Sequence, residues 1–321
     1  GNPGDPNPVG FGIWKSEDSG DSWTAINNGL EDLTVSHLVI DPDDTQTLYA
    51  GVGCVDDDIQ LPGNVYKSVD GGANWVRLDV SPDQPITRLA LHPDDSQKVY
   101  AMGYNGFFGS EDGGANWTRL DETFKSAVYT FFYDHAFAPG DPETMYVGTY
   151  AGGLIKSVDG GHNWFEINGL RHEGDVLGNS YGTALDPADP DTVYATTIGG
   201  VFKTTNGGES WRFIGQGVFQ HLREIAADPT NPLRLYLGGD SQAFYLSDDG
   251  GDTWTPVPLD STSPNVVGGD IQFPAIVVDP HSPNRILVGL TNAPETPMLR
   301  STDWGQTWQP LSLGFPAQAH A

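Results

Sequence analysis

The sequence predicts an all-β protein, a seven-bladed β-propeller of four-stranded antiparallel blades with one blade incomplete at the N-terminus. Three observations support this fold class. An octapeptide ending in Trp recurs seven times along 321 residues, a second half-repeat alternates with it six times, and no segment shows helical periodicity. A repeat period of 40 to 50 residues with about four strands in each period is typical of propeller blades.

The octapeptide has the pattern S/T-x-D-x-G-x-x-W. Its copies are Ser16–Trp23, Ser68–Trp75, Ser110–Trp117, Ser157–Trp164, Thr204–Trp211, Ser247–Trp254 and Ser301–Trp308. A short carboxylate at the third position accepts hydrogen bonds from backbone N–H groups in a tight turn, and the glycine two residues later supplies a positive φ. The sequence places this carboxylate at Asp18, Asp70, Asp112, Asp159, Asp248 and Asp303, with Asn206 in the fifth copy. A catalytic group is needed once, so the sevenfold repetition favours a structural role for these residues.

The second half-repeat is an apolar strand, a D-P-like turn and a second apolar strand. It occurs at Leu38–Gly51, Leu89–Gly103, His135–Gly148, Thr183–Thr196, Ile225–Gly238 and Ile276–Gly289. A third strand, the octapeptide turn and a fourth strand follow each copy. This half-repeat therefore predicts the two inner strands of a blade.

We interpret residues 1–321 as one propeller domain. The predicted blades are 1–29 (partial), 30–80, 81–122, 123–169, 170–215, 216–260 and 261–313. The first octapeptide has no half-repeat before it. Three explanations stay open at this stage: the chain is a fragment of a longer protein, its termini close the ring unusually, or a partner lends strands. The first is favoured.

The octapeptide resembles the Asp-box, or BNR repeat, and the resemblance covers almost the whole chain. It is similar to the repeats of sortilin-like, photosystem-assembly-factor-like and xyloglucanase-like propellers. The resemblance implies the fold but not one function, because these relatives include both enzymes and binding proteins. Sialidase activity is disfavoured: the R-I-P motif of sialidases is missing, and the nearest string, Asn284-Arg285-Ile286, falls in a D-P turn.

Composition narrows the range of partners. The chain has 43 acidic and 15 basic residues, a net charge of −28, which disfavours nucleic acid and anionic membranes as partners. No apolar stretch is long enough for membrane insertion, and the single cysteine, Cys54, cannot form an intrachain disulfide. No cofactor is expected. The resemblance implies an extracytoplasmic or secreted protein.

Aligning the six half-repeats on the Asp before Pro identifies candidate ligand-facing positions. Four residues upstream of the aligned position stand His37, Arg88, Asp134, Gly182, Glu224 and Ala275. The residues one position earlier are Ser36, Thr87, Tyr133, Tyr181, Arg223 and Pro274. The family resemblance implies that this end of the strands lies at the mouth of the central channel, where ligands bind.

Asp134 and Glu224 are the candidate catalytic pair, because glycoside hydrolysis uses two carboxyl groups, one with a raised pKa. The candidate ligand-binding residues are His37, Arg88, Tyr133, His135, His172, Tyr181, His221 and Arg223. The alternative is a ring of mutually paired polar side chains with a structural role. No metal site is predicted. The acidic triplet Asp56, Asp57 and Asp58 is a weak calcium candidate because it lacks the alternating spacing of a calcium loop.

The leading functional interpretation is a recognition or scaffold module that binds a glycan, protein or peptide at the channel mouth. The alternative is a glycoside hydrolase of xyloglucanase-like type, acting on β-glucan or a related polysaccharide. The resemblance implies that such enzymes place their cleft between two tandem propellers, so this chain would be part of a larger protein or would work with a second propeller domain. A polysaccharide lyase is the second enzymatic alternative.

Overall fold

The computed structural model describes residues 12–18, 22–53, 55–56, 59–60, 63–80, 85–103, 106–121, 132–150, 152–167, 171–172, 175–176, 179–197, 199–218, 222–239, 244–257, 272–291 and 298–311. Every regular element in these ranges is a β-strand, and the larger sheets are six antiparallel blades of four strands each. The described part contains no helix long and apolar enough to cross a membrane.

The first strands precede and form blade 1. A two-stranded hairpin consists of β1 (Trp14–Lys15) and β2 (Thr24–Ala25). Blade 1, with a small hairpin inserted in it, comprises β3 (Val35–Ile40), β4 (Leu48–Val52), the inserted β5 (Val55–Asp56) and β6 (Ile59–Gln60), β7 (Asn64–Ser68) and β8 (Val76–Leu78). Blade 2 comprises β9 (Ile86–His92), β10 (Asp95–Gly103), β11 (Gly106–Ser110) and β12 (Thr118–Arg119).

The remaining blades repeat the same order of strands. Blade 3 and the small hairpin after it comprise β13 (Phe132–Ala138), β14 (Asp141–Thr149), β15 (Gly153–Ser157), β16 (Phe165–Glu166), β17 (Arg171–His172) and β18 (Asp175–Val176). Blade 4 comprises β19 (Ser180–Asp186), β20 (Asp189–Thr197), β21 (Gly200–Thr204) and β22 (Arg212–Phe213). Blade 5 comprises β23 (Leu222–Asp228), β24 (Asn231–Gly239), β25 (Phe244–Ser247) and β26 (Thr255–Pro256). Blade 6 comprises β27 (Gln272–Val278), β28 (Ile286–Thr291), β29 (Met298–Ser301) and β30 (Gln309–Pro310).

The expectation of seven blades is wrong, because the structure has six four-stranded blades. The number of blades equals the number of D-P half-repeats, each of which supplies two inner strands. The first octapeptide lies in the β1–β2 hairpin, and within the described residues no other strand pairs with that hairpin. Ile13 and Ile26, which flank the strands of the hairpin, pack against blade 1 near Trp75.

The core lies between successive blades. The first strands of the blades contact one another in chain order, β3 with β9, β9 with β13, and so on to β27. One apolar cluster fills each junction; between blades 5 and 6 it includes Tyr236, Ile276 and Trp308. The octapeptide Trp thus buries its ring between neighbouring sheets, as the sequence predicts.

The octapeptide forms the turn between the third and fourth strands. In blade 1, Ser68 Oγ donates to Asp70 Oδ1 at 2.8 Å, and Asn74 N donates to the same oxygen at 2.8 Å. In blade 4, Ser210 N donates to Asn206 Oδ1 at 3.0 Å, so asparagine replaces the carboxylate as expected. These bonds stabilise the ionised carboxylate; in blade 2, the side-chain and backbone donors of Asn116 lower the pKa of Asp112 to about 2.

The assignment of Asp248 to this role is wrong by one residue. Ser247 Oγ and Thr253 N donate to Asp249 Oδ1 at 2.8 and 2.9 Å, so Asp249 closes the turn of blade 5. Asp248 points elsewhere and accepts a hydrogen bond from Arg234 Nε at 2.6 Å. The two adjacent carboxylates differ only in their distance from the serine, and the turn requires the one two residues after it.

Each blade therefore has two ends with different chemistry. The turn from the first to the second strand and the octapeptide turn lie at one end, which we call the box face. The turn from the second to the third strand and the connection to the next blade lie at the other end, which we call the mouth face.

Replacing Trp254 by Ala is expected to lower the free energy of unfolding by about 3–5 kcal/mol, because it leaves a cavity and removes a hydrogen bond. Trp254 is buried between blades 4 and 5, and its Nε1 donates to Ile214 O at 2.8 Å. Urea denaturation measures the loss. Phe165→Ala, on an aromatic ring that is 54% exposed, is the control and should change stability by less than about 0.5 kcal/mol. Similar losses for the two variants would contradict the packing role.

Candidate functional site

A β-bulge occurs near the mouth end of the first strand in every blade, where the pairing with the second strand shifts register. In blade 3, Phe132 pairs with Thr149 and Asp134 with Gly148, so the register shifts at Tyr133. The corresponding residues of blades 1, 2, 4 and 5 are Ser36, Thr87, Tyr181 with Gly182, and Arg223. A bulge re-aims the side chain of its extra residue. The sequence alignment had placed these residues at one position but had not predicted the bulge.

In blades 3 to 5 the bulge residues form an aromatic surface at the mouth face. The Tyr133 and Tyr181 ring centroids are 5.0 Å apart, and the Arg223 guanidinium carbon lies 5.5 Å from the Tyr181 centroid. Tyr150, in the turn after β14, lies 6.4 Å from Tyr133, and we call these four residues the aromatic ledge. Burial raises the pKa of Tyr133 to about 12, so its phenol is protonated at neutral pH.

In blades 1 and 2 the same position links blades to one another. Ser36 Oγ donates to Ile86 O in blade 2, and Thr87 Oγ1 donates to Phe132 O in blade 3 at 3.1 Å. Among the described side chains, the ledge therefore lies on blades 3, 4 and 5, since small hydroxyl residues in blades 1 and 2 use the bulge for packing.

The residues after the bulges of blades 1, 2, 3 and 5, together with His135, form a second group, which we call the channel cluster: His37, Arg88, Asp134, His135 and Glu224. Asp134 Oδ2 accepts a hydrogen bond from Thr183 N in blade 4 at 2.6 Å. His37 Nδ1 accepts one from Leu89 N in blade 2 at 3.4 Å, and the His37 and His135 ring centroids are 6.5 Å apart. The cluster thus spans several blades around the central channel.

Asp134 and Glu224 behave as a coupled pair of acids, although a blade separates them. Burial raises the pKa of Asp134 to about 6, against the opposing effects of the Arg88 charge and the Thr183 N–H donor. Burial and, secondly, the charge of Asp134 raise the pKa of Glu224 well above its ordinary value. Between them, blade 4 contributes Gly182 and the Thr183 N–H that donates to Asp134. Because each acid disfavours ionisation of the other, the pair keeps a proton to a higher pH than two separate carboxyl groups would.

The two histidines of the cluster are neutral at physiological pH. Burial and then the positive charge of Arg88 lower the pKa of His37 to about 3 and of His135 to about 4. Arg88 is thus the positive charge of the cluster.

The structure brings together most of the predicted site residues. Asp134, Glu224, His37, Arg88 and His135 meet in the channel cluster, and Tyr133, Tyr181 and Arg223 meet in the ledge. His221, Asp57, Asp58 and the side chains of His172 and Asp56 lie outside the described residues. Among the described residues, no group of three or more His, Cys, Asp or Glu side chains is arranged to hold a metal ion.

Sequence reasoning missed Tyr150. The half-repeat alignment ends at Gly148, two residues before it. The sequence signal that could have identified it is an aromatic residue in the mouth-face turn of the blade that also carries Tyr133. In the structure, Tyr150 is 44% exposed.

Six blades closed by Asp-box turns, with a polar channel between them, define an Asp-box β-propeller. Residues 12–150 match the family model "Sortilin, neurotensin receptor 3", and residues 245–256 match the BNR/Asp-box repeat. The chain is a member of the BNR-type β-propeller superfamily.

The curated relatives include several xyloglucanases. The xyloglucanase of Hypocrea jecorina is 26% identical over 323 residues, which is 91% of this chain and 35% of the relative. A Paenibacillus xyloglucanase is 31% identical over 155 residues, which is 42% of this chain and 14% of the relative. The chain spans about a third of the length of the first curated relatives it matches.

Solved structures show the same fold. The GH74 xyloglucanase of Xanthomonas campestris superposes with a TM-score of 0.76 at 20% identity, covering 95% of this chain and 52% of that one. YCF48 bound to D1 peptide superposes with a TM-score of 0.60 at 16% identity, covering 86% of this chain and 82% of that one.

The raised pKa of Asp134 predicts that this carboxyl destabilises the fold as the pH rises. Its folded value of about 6 exceeds the ordinary 3.8, so the native state binds more protons and stability falls between about pH 4 and pH 6. In Asp134→Asn this contribution is absent. The stability of the variant relative to the wild type should rise by roughly 1–3 kcal/mol from pH 4 to pH 7.

Urea denaturation at several pH values measures this difference. Asp121→Asn, which removes an acid paired with Arg119 in blade 2, is the matched control. A difference between wild type and Asp134→Asn that does not change with pH would show that Asp134 titrates normally.

Proposed function

We propose that this chain is a glycoside-hydrolase-like propeller that binds a β-glucan of the xyloglucan type across its mouth face and uses Asp134 and Glu224 as its acid–base pair. The observation that supports this most strongly is the position of the ledge directly beside the coupled carboxyl groups. Tyr133 and Arg223 each precede one member of the pair in the chain.

The aromatic ledge has the chemistry of a sugar-binding surface. The equatorial hydroxyls of β-linked glucose leave the two faces of each ring apolar, so flat aromatic side chains bury them well. The Tyr133, Tyr150 and Tyr181 rings extend over blades 3 and 4, and the guanidinium of Arg223 is a hydrogen-bond donor for sugar hydroxyls. A mainly apolar surface with a few fixed polar groups is what small-ligand sites require.

The carboxyl pair supplies the two groups that hydrolysis needs. Burial and the charge of Asp134 raise the pKa of Glu224 well above its ordinary value, and Glu224 is the general acid that donates its proton to the glycosidic oxygen as the C–O bond breaks. Asp134, ionised above about pH 6, either removes a proton from the attacking water or stabilises the positive charge on the sugar ring. Arg88 stabilises the ionised form of the pair.

The relatives support the substrate class and a larger assembly. Several are named xyloglucanases, and this chain spans only about a third of their length. In the proposal a second propeller faces the ledge and completes the cleft. Because plant-type glucans lie outside cells, the protein acts extracytoplasmically; one structural neighbour is an extracellular domain.

Recognition without chemistry is the second candidate. The structure of YCF48 bound to D1 peptide shows that a propeller with this fold can hold a peptide. A recognition module would use the same ledge to bind a glycan or peptide. The carboxyl pair would then have a structural role in the channel.

Glu224→Gln and Asp134→Asn are each expected to reduce sugar release from xyloglucan by about 10²–10⁴-fold, because proton transfer to or from the reacting groups is lost. The assay is reducing-sugar release from xyloglucan and mixed-linkage β-glucan. Asp121→Asn should retain full activity. If the wild type binds these polymers without releasing sugar, the recognition interpretation replaces hydrolysis.

Tyr181→Ala is expected to weaken binding of xyloglucan oligosaccharides by about tenfold or more, as for a central aromatic contact. Isothermal titration calorimetry measures the affinity, with Phe165→Ala as an aromatic control far from the mouth. Equal affinities for Tyr181→Ala and the wild type would show that the ledge is not part of the binding site.

A further inference from the structure

We propose that Trp304, on the box face of blade 6, is the platform of a second glycan-binding site, separate from the mouth. Trp304 occupies the fourth position of the last octapeptide. The box face lies at the opposite ends of the strands from the ledge, so one chain could contact a polysaccharide at both ends of the propeller. The ligand class rests on the proposed function, whereas the site itself does not involve the mouth.

The backbone at Trp304 adopts a conformation that the repeat reserves for glycine. The fourth octapeptide residue has a positive φ in all six blades and donates its N–H to a backbone carbonyl in, or just before, the second strand of its blade. In blades 1 to 5 it is a glycine: Gly71, Gly113, Gly160, Gly207 and Gly250. In blade 6 it is Trp304, with φ at 58° and its N–H bonded to Asn284 O at 3.1 Å. A bulky residue in this region is strained, and such strain accumulates at functional sites.

The surroundings keep the indole ring exposed and oriented. Trp304 is 42% exposed. The guanidinium carbon of Arg234, from blade 5, lies 5.8 Å from the indole centroid, and Arg234 Nε donates to Asp248 Oδ1 at 2.6 Å. Because Asp249 closes the turn of blade 5, Asp248 can instead hold the Arg234 guanidinium beside the indole ring of Trp304. We call Trp304, Arg234 and Asp248 the box-face platform.

At the junction of blades 5 and 6, no lysine among the described residues reaches the fourth octapeptide residue. At three other junctions a lysine crosses to the next blade: Lys67, Lys156 and Lys203 donate to Gly113 O, Gly207 O and Gly250 O. Leu246 occupies the equivalent position in blade 5, opposite Tyr236 in the ladder. A Cβ on Gly207 would meet Lys156 Nζ at 2.8 Å, so a tryptophan there would displace the lysine. At the junction of blades 2 and 3, Gly109 stands opposite Tyr100 and the fourth octapeptide residue is still a glycine, Gly160, so the absence of lysine permits a tryptophan without requiring one.

The chemistry of the platform matches a β-linked glucan chain. A flat, exposed indole stacks on the apolar face of a sugar ring. The neighbouring guanidinium and carboxylate offer a donor and acceptors for hydroxyl groups. The net charge of −28 disfavours an anionic polymer such as nucleic acid at this surface.

Trp304→Gly tests the platform without disturbing the fold, because glycine is the residue of the five sister turns. The variant should keep or raise the melting temperature, by about 2 °C if the strain is relieved. Its retention by xyloglucan in native affinity electrophoresis should fall by at least about fivefold. Phe165→Ala, a similarly exposed aromatic on blade 3, should migrate like the wild type.

The same measurement in a Tyr181→Ala background distinguishes the two sites. If the platform binds, Tyr181→Ala retains part of the interaction, and the double variant with Trp304→Gly loses it. If Trp304→Gly changes nothing in either background, the platform is overturned while the mouth can still be the site. If Tyr181→Ala alone has no effect and Trp304→Gly abolishes retention, the platform is supported and the mouth is not. If xyloglucan does not retain the wild-type protein, the platform proposal is also overturned.

Discussion

The interaction on which the structure depends is the turn closed by the third octapeptide residue. One carboxylate, or the amide of Asn206, accepts the backbone N–H of the residue four positions later, while the first hydroxyl bridges the turn. This closure joins the outer two strands and places the tryptophan against the preceding blade. Because each junction core contains such a ring or packs against it, the blades cannot stack without these turns.

Because the octapeptide turns on the box face hold the blades together, the residues at the opposite end of each inner strand can differ from blade to blade. The same bulge carries Ser36 and Thr87 where two blades are linked through hydroxyl groups, and Tyr133, Tyr181 and Arg223 where a ledge forms. One backbone irregularity therefore serves packing on one side of the channel and forms the aromatic ledge on the other. Blade 6 shows the reverse case, in which the box face itself accepts a bulky residue at Trp304.

Much of the site could be predicted from the sequence because strand pairing imposes a period of two. Aligning the half-repeats placed Asp134 and Glu224 in equivalent positions, each opposite a glycine in the ladder. The number of blades could not be read from the octapeptide, which marks only the outer strands. Two adjacent aspartates follow Ser247, and only Asp249 lies at the distance from the Ser247 hydroxyl that the turn requires. Tyr150 lies in a turn, where no periodicity guides the alignment.

Gly182 has a consequence for the acidity of the channel. It stands in blade 4 between the blades of Asp134 and Glu224, and a Cβ there would meet Arg223 O at 2.9 Å and Thr196 Oγ1 at 3.0 Å. The coupling between the two acids thus depends on the close approach of the backbone at Gly182 as well as on the charge of Arg88, which acts on both. A single methyl group, carrying no charge and forming no hydrogen bond, would be enough to shift the backbone between them and retune the proton affinity of both.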